Sequence, residues 1–296
     1  MKRFLVLLLL TGLAACEGPR QDALASTPTG VWREQIVWVP YDRQFGGIHY
    51  LFARLCRPAS DREARVVVYA HGTPSDPSIR PTMKPLTCES EAAQWFLKRG
   101  HIVVAAMRTG YGQSAGSYAE NSSPCETVDF IRAGRETARQ IAAVVNFATA
   151  LPGARPTGAI VVGQSAGGWG AVAYDAMPHP KVAAMVSMAG GRGGHMGGRA
   201  NDNCRPDRLA AAAGAFGAEA TTPMLWIYTE NDSYFAPPIA SAMYAAFAKA
   251  GGAAKFLQLR PFASDGHGLF LGRGGSTIWG PAIERYLAER GIKDGQ

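Results

Sequence analysis

Several things are scarce in this sequence, and each shortage excludes a class of protein. Charged side chains are 18% of the 296 residues and apolar ones 47%, a balance that excludes a disordered chain and suits a globular enzyme. The 30 Lys and Arg against 23 Asp and Glu give a net charge of +7, yet the basic residues are scattered and never form a run. That argues against a nucleic-acid partner, and ordinary solubility explains the charge as simply as an anionic membrane or acidic glycan would. There are five cysteines, none with CxxC spacing, and no HxxxH accompanies them, so no metal site is expected. Gly191-Arg192-Gly193-Gly194 lacks the Gly-Lys-Ser/Thr ending of a phosphate-binding loop, and no cofactor is expected. No apolar run reaches the ~20 residues that a membrane-crossing helix needs. No internal repeat and no second domain is evident.

The longest apolar run, Phe4-Leu5-Val6-Leu7-Leu8-Leu9-Leu10, follows Lys2 and Arg3 at the start of the chain. A charged segment before a short apolar one reads as a secretory signal peptide over residues 1–15. Without Lys2 and Arg3 the charge is +5. Leu13-Ala14-Ala15-Cys16 resembles the lipobox of bacterial lipoproteins, which implies that Cys16 is lipidated and becomes the first residue. The alternative is a plain signal peptide beside a coincidental cysteine. Residues 16–30 carry no apolar period and read as a flexible tether, leaving residues 31–296 as the catalytic domain. The chain is thus expected to be exported, anchored in a membrane and facing the periplasm or cell surface. Cys56, Cys88, Cys125 and Cys204 remain, an even number that suggests two disulfides. Three pairings are open. Cys88 with Cys125 is favoured, because both are expected in loops flanking one strand.

Strand and helix alternate through the rest of the chain. Strands are predicted over 31–40, 48–57, 65–70, 102–106, 158–163, 182–188, 224–229 and 254–261 from continuous or alternating apolar runs. Helices are predicted over 90–99, 127–149, from 166, 237–250 and 278–290. Residues 190–217 read as a loop or short helix. This alternation predicts an α/β fold of three layers, a mostly parallel doubly wound sheet with antiparallel N-terminal strands. Ligands in such folds bind at the carboxyl ends of the strands.

Gly163-Gln164-Ser165-Ala166-Gly167 matches G-x-S-x-G and stands between a predicted strand and a predicted helix. That context makes Ser165 the candidate nucleophile, held on a sharp turn with glycines making room for it. A serine hydroxyl needs a base. Of six histidines, His267 lies just past the last predicted strand, where a loop returns over the sheet's edge. Asp232 follows the strand over 224–229 and is the candidate carboxylate, with Glu230 and Asp265 as rivals. The order Ser165, Asp232, His267 suits this fold. The oxyanion donors are expected to be the backbone N–H groups of Ala166 and of Thr73, in His71-Gly72-Thr73 after the strand over 65–70.

With these residues in place, the chain resembles the α/β-hydrolase superfamily, in its dienelactone hydrolase and prolyl-oligopeptidase-like branch, from about Val66 onward. The resemblance rests also on Arg108-Thr109-Gly110-Tyr111-Gly112-Gln113-Ser114 and on Gly266-His267-Gly268. It implies a pocket floor shaped around Tyr111, where packing and substrate contact are alternative roles. Arg192, in its glycine-rich loop, and Tyr234, beside Asp232, are further candidates for substrate contact. One departure matters: dienelactone hydrolase uses a cysteine where this chain has Ser165, which points to ordinary esters. The expected function is hydrolysis of a small ester through an acyl-enzyme. Peptidase or acyltransferase action on the same triad, and a non-catalytic surface-binding lipoprotein, are the rival readings.

Overall fold

The computed structural model describes residues 25–43, 47–120 and 124–293. The expected signal peptide, Cys16 and the first part of the expected tether lie outside the described residues.

Among the described residues eight strands form one sheet: β1 (Gln35–Arg43), β2 (Gly47–Cys56), β3 (Val66–Ala70), β4 (Ile102–Ala106), β5 (Ala159–Gln164), β6 (Val182–Met188), β7 (Met224–Thr229) and β8 (Ala254–Leu259). Their order is β1-β2-β4-β3-β5-β6-β7-β8. β2 pairs antiparallel with β1 and β4, and the remaining pairs are parallel. Among the described residues six α-helices accompany them: α1 (Glu91–Leu97), α2 (Phe130–Ala148), α3 (Ala166–Asp175), α4 (Pro206–Gly217), α5 (Pro237–Lys249) and α6 (Gly275–Glu289).

Alternation along the central strands divides the interior in two. Val66, Val68 and Ala70 of β3 join a core with residues of α2 to α5. Val67 and Tyr69, pointing the other way, join a core with Trp95, Phe96 and Trp279 of α1 and α6. A strand covered on both faces must be apolar throughout, which is why these runs were legible in the sequence. Local signals fix the helix starts. The Ser90 hydroxyl accepts from Ala93 N at 3.2 Å and the Asp129 carboxylate from Arg132 N at 2.8 Å, each filling an orphan donor of the first turn.

Two expectations change. Residues 190–217 contain a full twelve-residue helix, α4, with Pro206 in its first turn, where the missing N–H costs nothing, and an alanine-rich body. The disulfides are Cys56–Cys88 and Cys125–Cys204, not Cys88–Cys125. The reason is the sheet itself. Cys56 and Cys88 lie in the core beneath α1 and α6, whereas Cys204 and Cys125 lie in or against the core of the other face. A bond from Cys88 to Cys125 would have to pass through the strands between them.

The chain runs from β3 out to β4 and then back across to β5. The strand order therefore reverses between β3 and β5, and loops leaving their carboxyl ends part around a crevice. The residues after β5 begin at Ser165, and those after β3 at His71.

Candidate functional site

Ser165 occupies φ 55°, ψ −121°, a backbone state costing a non-glycine residue about 1–3 kcal/mol. Its surroundings force the turn. A side chain at Gly163 would stand 2.2 Å from the Gly167 carbonyl oxygen, and one at Gly167 would stand 2.0 Å from that of Ala70. The glycines of the motif thus let β5, α3 and the end of β3 close on one another. Ser165 N donates to Met188 O at 2.9 Å, and Ser165 O accepts from Gly191 N at 3.2 Å. Ala166 is the first residue of α3, so its N–H has no partner within the helix and stands at the positive end of the helix dipole.

His267 and Asp232 come together across 35 residues of sequence. His267 Nδ1 lies 3.0 and 3.1 Å from the two Asp232 oxygens. An ionised carboxylate only accepts, so the Nδ1 proton points at Asp232 and the Nε2 lone pair is left for the cleft. Asp232 is 1% exposed and also accepts from Tyr234 N at 2.8 Å and Phe235 N at 2.9 Å. The rivals sit elsewhere. Asp265 binds the Ser233 hydroxyl at 2.6 Å and His267 N at 3.0 Å, bracing the turn but not the ring. Glu230 is exposed.

Ser165, His267, Thr73 and Tyr234 line one cleft of about 540 Å³. No hydrogen bond joins the Ser165 hydroxyl to His267 here; such contacts are commonly long without substrate and tighten when it binds. Gly72 packs against Ser165, since a side chain on it would stand 3.1 Å from Ser165 Cβ. His71 is buried, its Nε2 accepting from Arg108 N at 3.1 Å while Nδ1 meets Gly72 O at 2.7 Å. Burial first, then the Arg108 charge, lowers its pKa well below the usual value, so it is a neutral brace rather than a base.

Tyr111, with packing and substrate contact as its alternative roles, and Arg192, a candidate for substrate contact, do not line the cleft. Tyr111 is fully buried, its hydroxyl 2.6 Å from Thr73 Oγ1 and 3.4 Å from Glu120. Arg192 pairs with Glu120 and donates to Thr137 Oγ1 at 2.9 Å. Glycines around Arg192 let the loop dive inward and carry its side chain into the interior. Arg108 is the third member, paired with Glu120 and donating to His71 O at 2.5 Å. Burial opposes ionisation of Glu120, but the Arg108 and Arg192 charges outweigh it and hold its pKa down to about 2. This cluster ties the loops after β3, β4 and β6 together under the candidate oxyanion loop.

Sequence reasoning passed over two contributors, Glu120 and Gln164. Glu120 carries no motif. Gln164, an unspecified position of the pentapeptide, donates to His267 O at 3.2 Å and ties the Ser165 turn to the His267 loop. His195 stacks on Tyr234 with ring centroids 3.6 Å apart, and Tyr234 stacks on His267 at 4.1 Å. His195 therefore backs Tyr234, the ring next to His267.

The chain matches no family model and no curated protein. Among solved structures it is similar to an esterase of Pyrococcus furiosus, with a TM-score of 0.58 and 13% identity over 87% of this chain and 91% of that one. It is similar to an acetyl xylan esterase from Paenibacillus sp. R4, with a TM-score of 0.61 and 14% identity over 90% and 87%. A third likeness is to the acylaminoacyl peptidase of Pyrococcus horikoshii, with a TM-score of 0.61 and 13% identity over 89% of this chain and 43% of the peptidase. The chain has the α/β-hydrolase fold.

Proposed function

We propose that this chain is a serine carboxylesterase working through Ser165, His267 and Asp232. The observation that carries the reading is the strained Ser165 turn on the same cleft as a histidine whose far nitrogen is held by a buried aspartate. In the first step the Ser165 Oγ–H proton passes to His267 Nε2 as Oγ bonds to the ester carbonyl carbon. The carbonyl electron pair moves onto oxygen, where the N–H groups of Ala166 and Thr73 receive it. Collapse breaks the bond to the leaving alkoxide, which takes the proton from Nε2. Water then repeats the sequence against the acyl-enzyme, giving up its proton to Nε2 and releasing the acid and Ser165. Asp232 keeps the imidazole in the required tautomer and balances its charge.

The cleft wall favours an ester with an apolar body. Tyr69, Pro74, Ile79, Met83, Leu86 and Leu271 line it, with Lys84 at its rim. Neighbours that bear esterase names support the same chemistry, as does the serine in place of cysteine. We place the enzyme outside the cytoplasm, carried on a lipid anchor at Cys16. Two disulfides fit an oxidising compartment.

The test pairs a fluorophosphonate probe with hydrolysis of p-nitrophenyl acetate. Wild type is labelled and active; Ser165→Ala loses the label and at least ~1,000-fold in kcat. Retained activity in S165A, or no label on wild type, refutes the mechanism. An aminoacyl anilide assayed alongside separates esterase from peptidase.

A further inference from the structure

Seven of the arginines and lysines scattered in sequence are gathered by the fold. In a parallel sheet the segments preceding each strand share one edge, and the antiparallel β2 ends on that edge too, since Cys56 pairs with Val103 near the start of β4. Arg57 follows β2, Arg62 and Arg65 precede β3, Lys98 and Arg99 precede β4, and Arg155 precedes β5. Arg33 joins them just before β1. Arg33, Arg57 and Arg62 share one hollow, and Arg62, Lys98 and Arg99 share the adjoining one.

These charges press on one another. Arg57 has its pKa lowered by burial and then by the Arg33 charge, and Arg65 by burial and then by Arg155. His101, buried behind them, is pushed down to about 4, by burial first and then by Arg65, Arg99 and Arg155. Neither of its ring nitrogens has a partner. The carboxylates nearby are Asp61, 2.6 Å from Arg33, Glu34, 3.3 Å from Arg54, Glu284, 3.7 Å from Arg99, and the exposed Glu63. Arg57 and Arg65 instead donate to backbone, at Pro152 O and Gly158 O. A set of cations crowded on one edge calls for an anionic counterpart of comparable breadth.

From Ala25, which bridges Val37, the chain runs antiparallel along β1 and turns at this edge. Arg57 N donates to Trp32 O at 2.7 Å, which fixes the segment before β1 beside the end of β2. The candidate catalytic residues lie at the opposite edge, across the length of β5, roughly 20 Å at 3.3 Å per residue.

We infer that this basic edge is a docking surface for anionic phospholipid headgroups, holding the protein with its cleft facing away from the bilayer. Guanidinium groups and a lysine suit headgroup phosphates, and several cations acting together suit a charged sheet of lipid. The surface follows from the fold. It rests on the Cys16 anchor reading only in that the anchored membrane is the one met.

The test uses the full chain carrying Cys16→Ala, which has no acyl attachment site. It is sedimented with phosphatidylcholine vesicles containing about 30% phosphatidylglycerol and with pure phosphatidylcholine vesicles. The expected result is an excess of binding to the anionic vesicles that shrinks as salt rises. Each basic residue near such a surface contributes about fivefold in partition, so adding Arg62→Gln and Lys98→Gln lowers the excess roughly 25-fold. Arg62→Lys with Lys98→Arg keeps it. Arg199→Gln with Arg273→Gln, in loops after β6 and β8, leaves it intact. Circular dichroism melting verifies that each variant is folded. Equal binding to both vesicle types overturns the inference. So does an equal loss from the Arg199 and Arg273 pair, or retention on an anionic polysaccharide resin without vesicle binding. Palmitate labelling of the wild type tests the anchor separately: no label at Cys16 sinks that reading and leaves the vesicle result standing.

Discussion

Replacing Glu120 by glutamine probes the tie beneath the candidate oxyanion loop. Glu120 is fully buried and its carboxylate meets both Arg108 and Arg192. Removing that charge strands two buried guanidinium groups, and breaking one side of a buried ion pair costs about 3–5 kcal/mol. At ~2–4 °C per kcal/mol for a domain of this size, E120Q melts roughly 6–20 °C below wild type at pH 7. The pH dependence carries its own sign. Folding depresses the Glu120 pKa from 4.5 to about 2. The stabilisation from its ionised form is therefore complete above the unfolded value and lost as pH falls toward the folded one. The gap in melting temperature between wild type and E120Q accordingly narrows between pH 5 and about 2. Thr73 is reached through Tyr111, so the same change lets the loop shift. Misplacing a catalytic donor by about 1 Å costs up to ~100-fold, and the loss falls on kcat with KM nearly unchanged. Thermal melts across pH and steady-state kinetics read both effects. An E120Q protein melting within about 2 °C of wild type at pH 7 would refute the structural tie. A loss confined to KM would refute the link to the oxyanion loop.

Asp232→Asn retains the fold but favours the wrong histidine tautomer, lowering kcat by about 10,000-fold; a loss under tenfold, measured at saturating ester, would remove Asp232 from its role. Gly167→Ala places a methyl group 2.0 Å from Ala70 O, so it yields little folded protein, read as soluble yield and melting temperature. A stable, active G167A would contradict the close approach of β3 and α3. Non-reducing peptide mapping finds Cys56 with Cys88 and Cys125 with Cys204. Reduction destabilises the chain by about 2–4 kcal/mol per bridge, read as a lower denaturant midpoint.

The positions of the eight described strands and of the candidate site were legible because burial on two faces demands unbroken apolar runs, and loops that follow the strands of such a sheet gather at one edge. Ser165 was legible because its turn needs glycines at fixed offsets. His267 and Asp232 were chosen as candidate base and carboxylate by chain order, and what sets Asp232 apart from Glu230 and Asp265 is its contact with the His267 ring, which no spacing encodes. The buried partners of Tyr111 and Arg192 were not legible, for a related reason. A polar side chain in a loop after a strand reads as lining the cleft unless a buried partner draws it inward, and that partner, Glu120, lies in Ser117-Tyr118-Ala119-Glu120, which has no pattern. The disulfide pairing was misjudged because sequence cannot say which face of a sheet a loop cysteine reaches.

The same limit explains why the charge looked featureless. A run of lysines is visible in sequence because neighbours in the chain are neighbours in space. A parallel sheet breaks that equivalence: it returns the chain to one edge before every strand, so Arg57, Arg65, Lys98 and Arg155 become neighbours across nearly 100 residues. The edge that receives the strands' beginnings is also the edge farthest from their carboxyl ends, where the cleft opens. A basic residue placed just before a strand therefore adds to the surface opposite the cleft, without disturbing the charge balance around Ser165. Net charge alone carries none of this; strand order does.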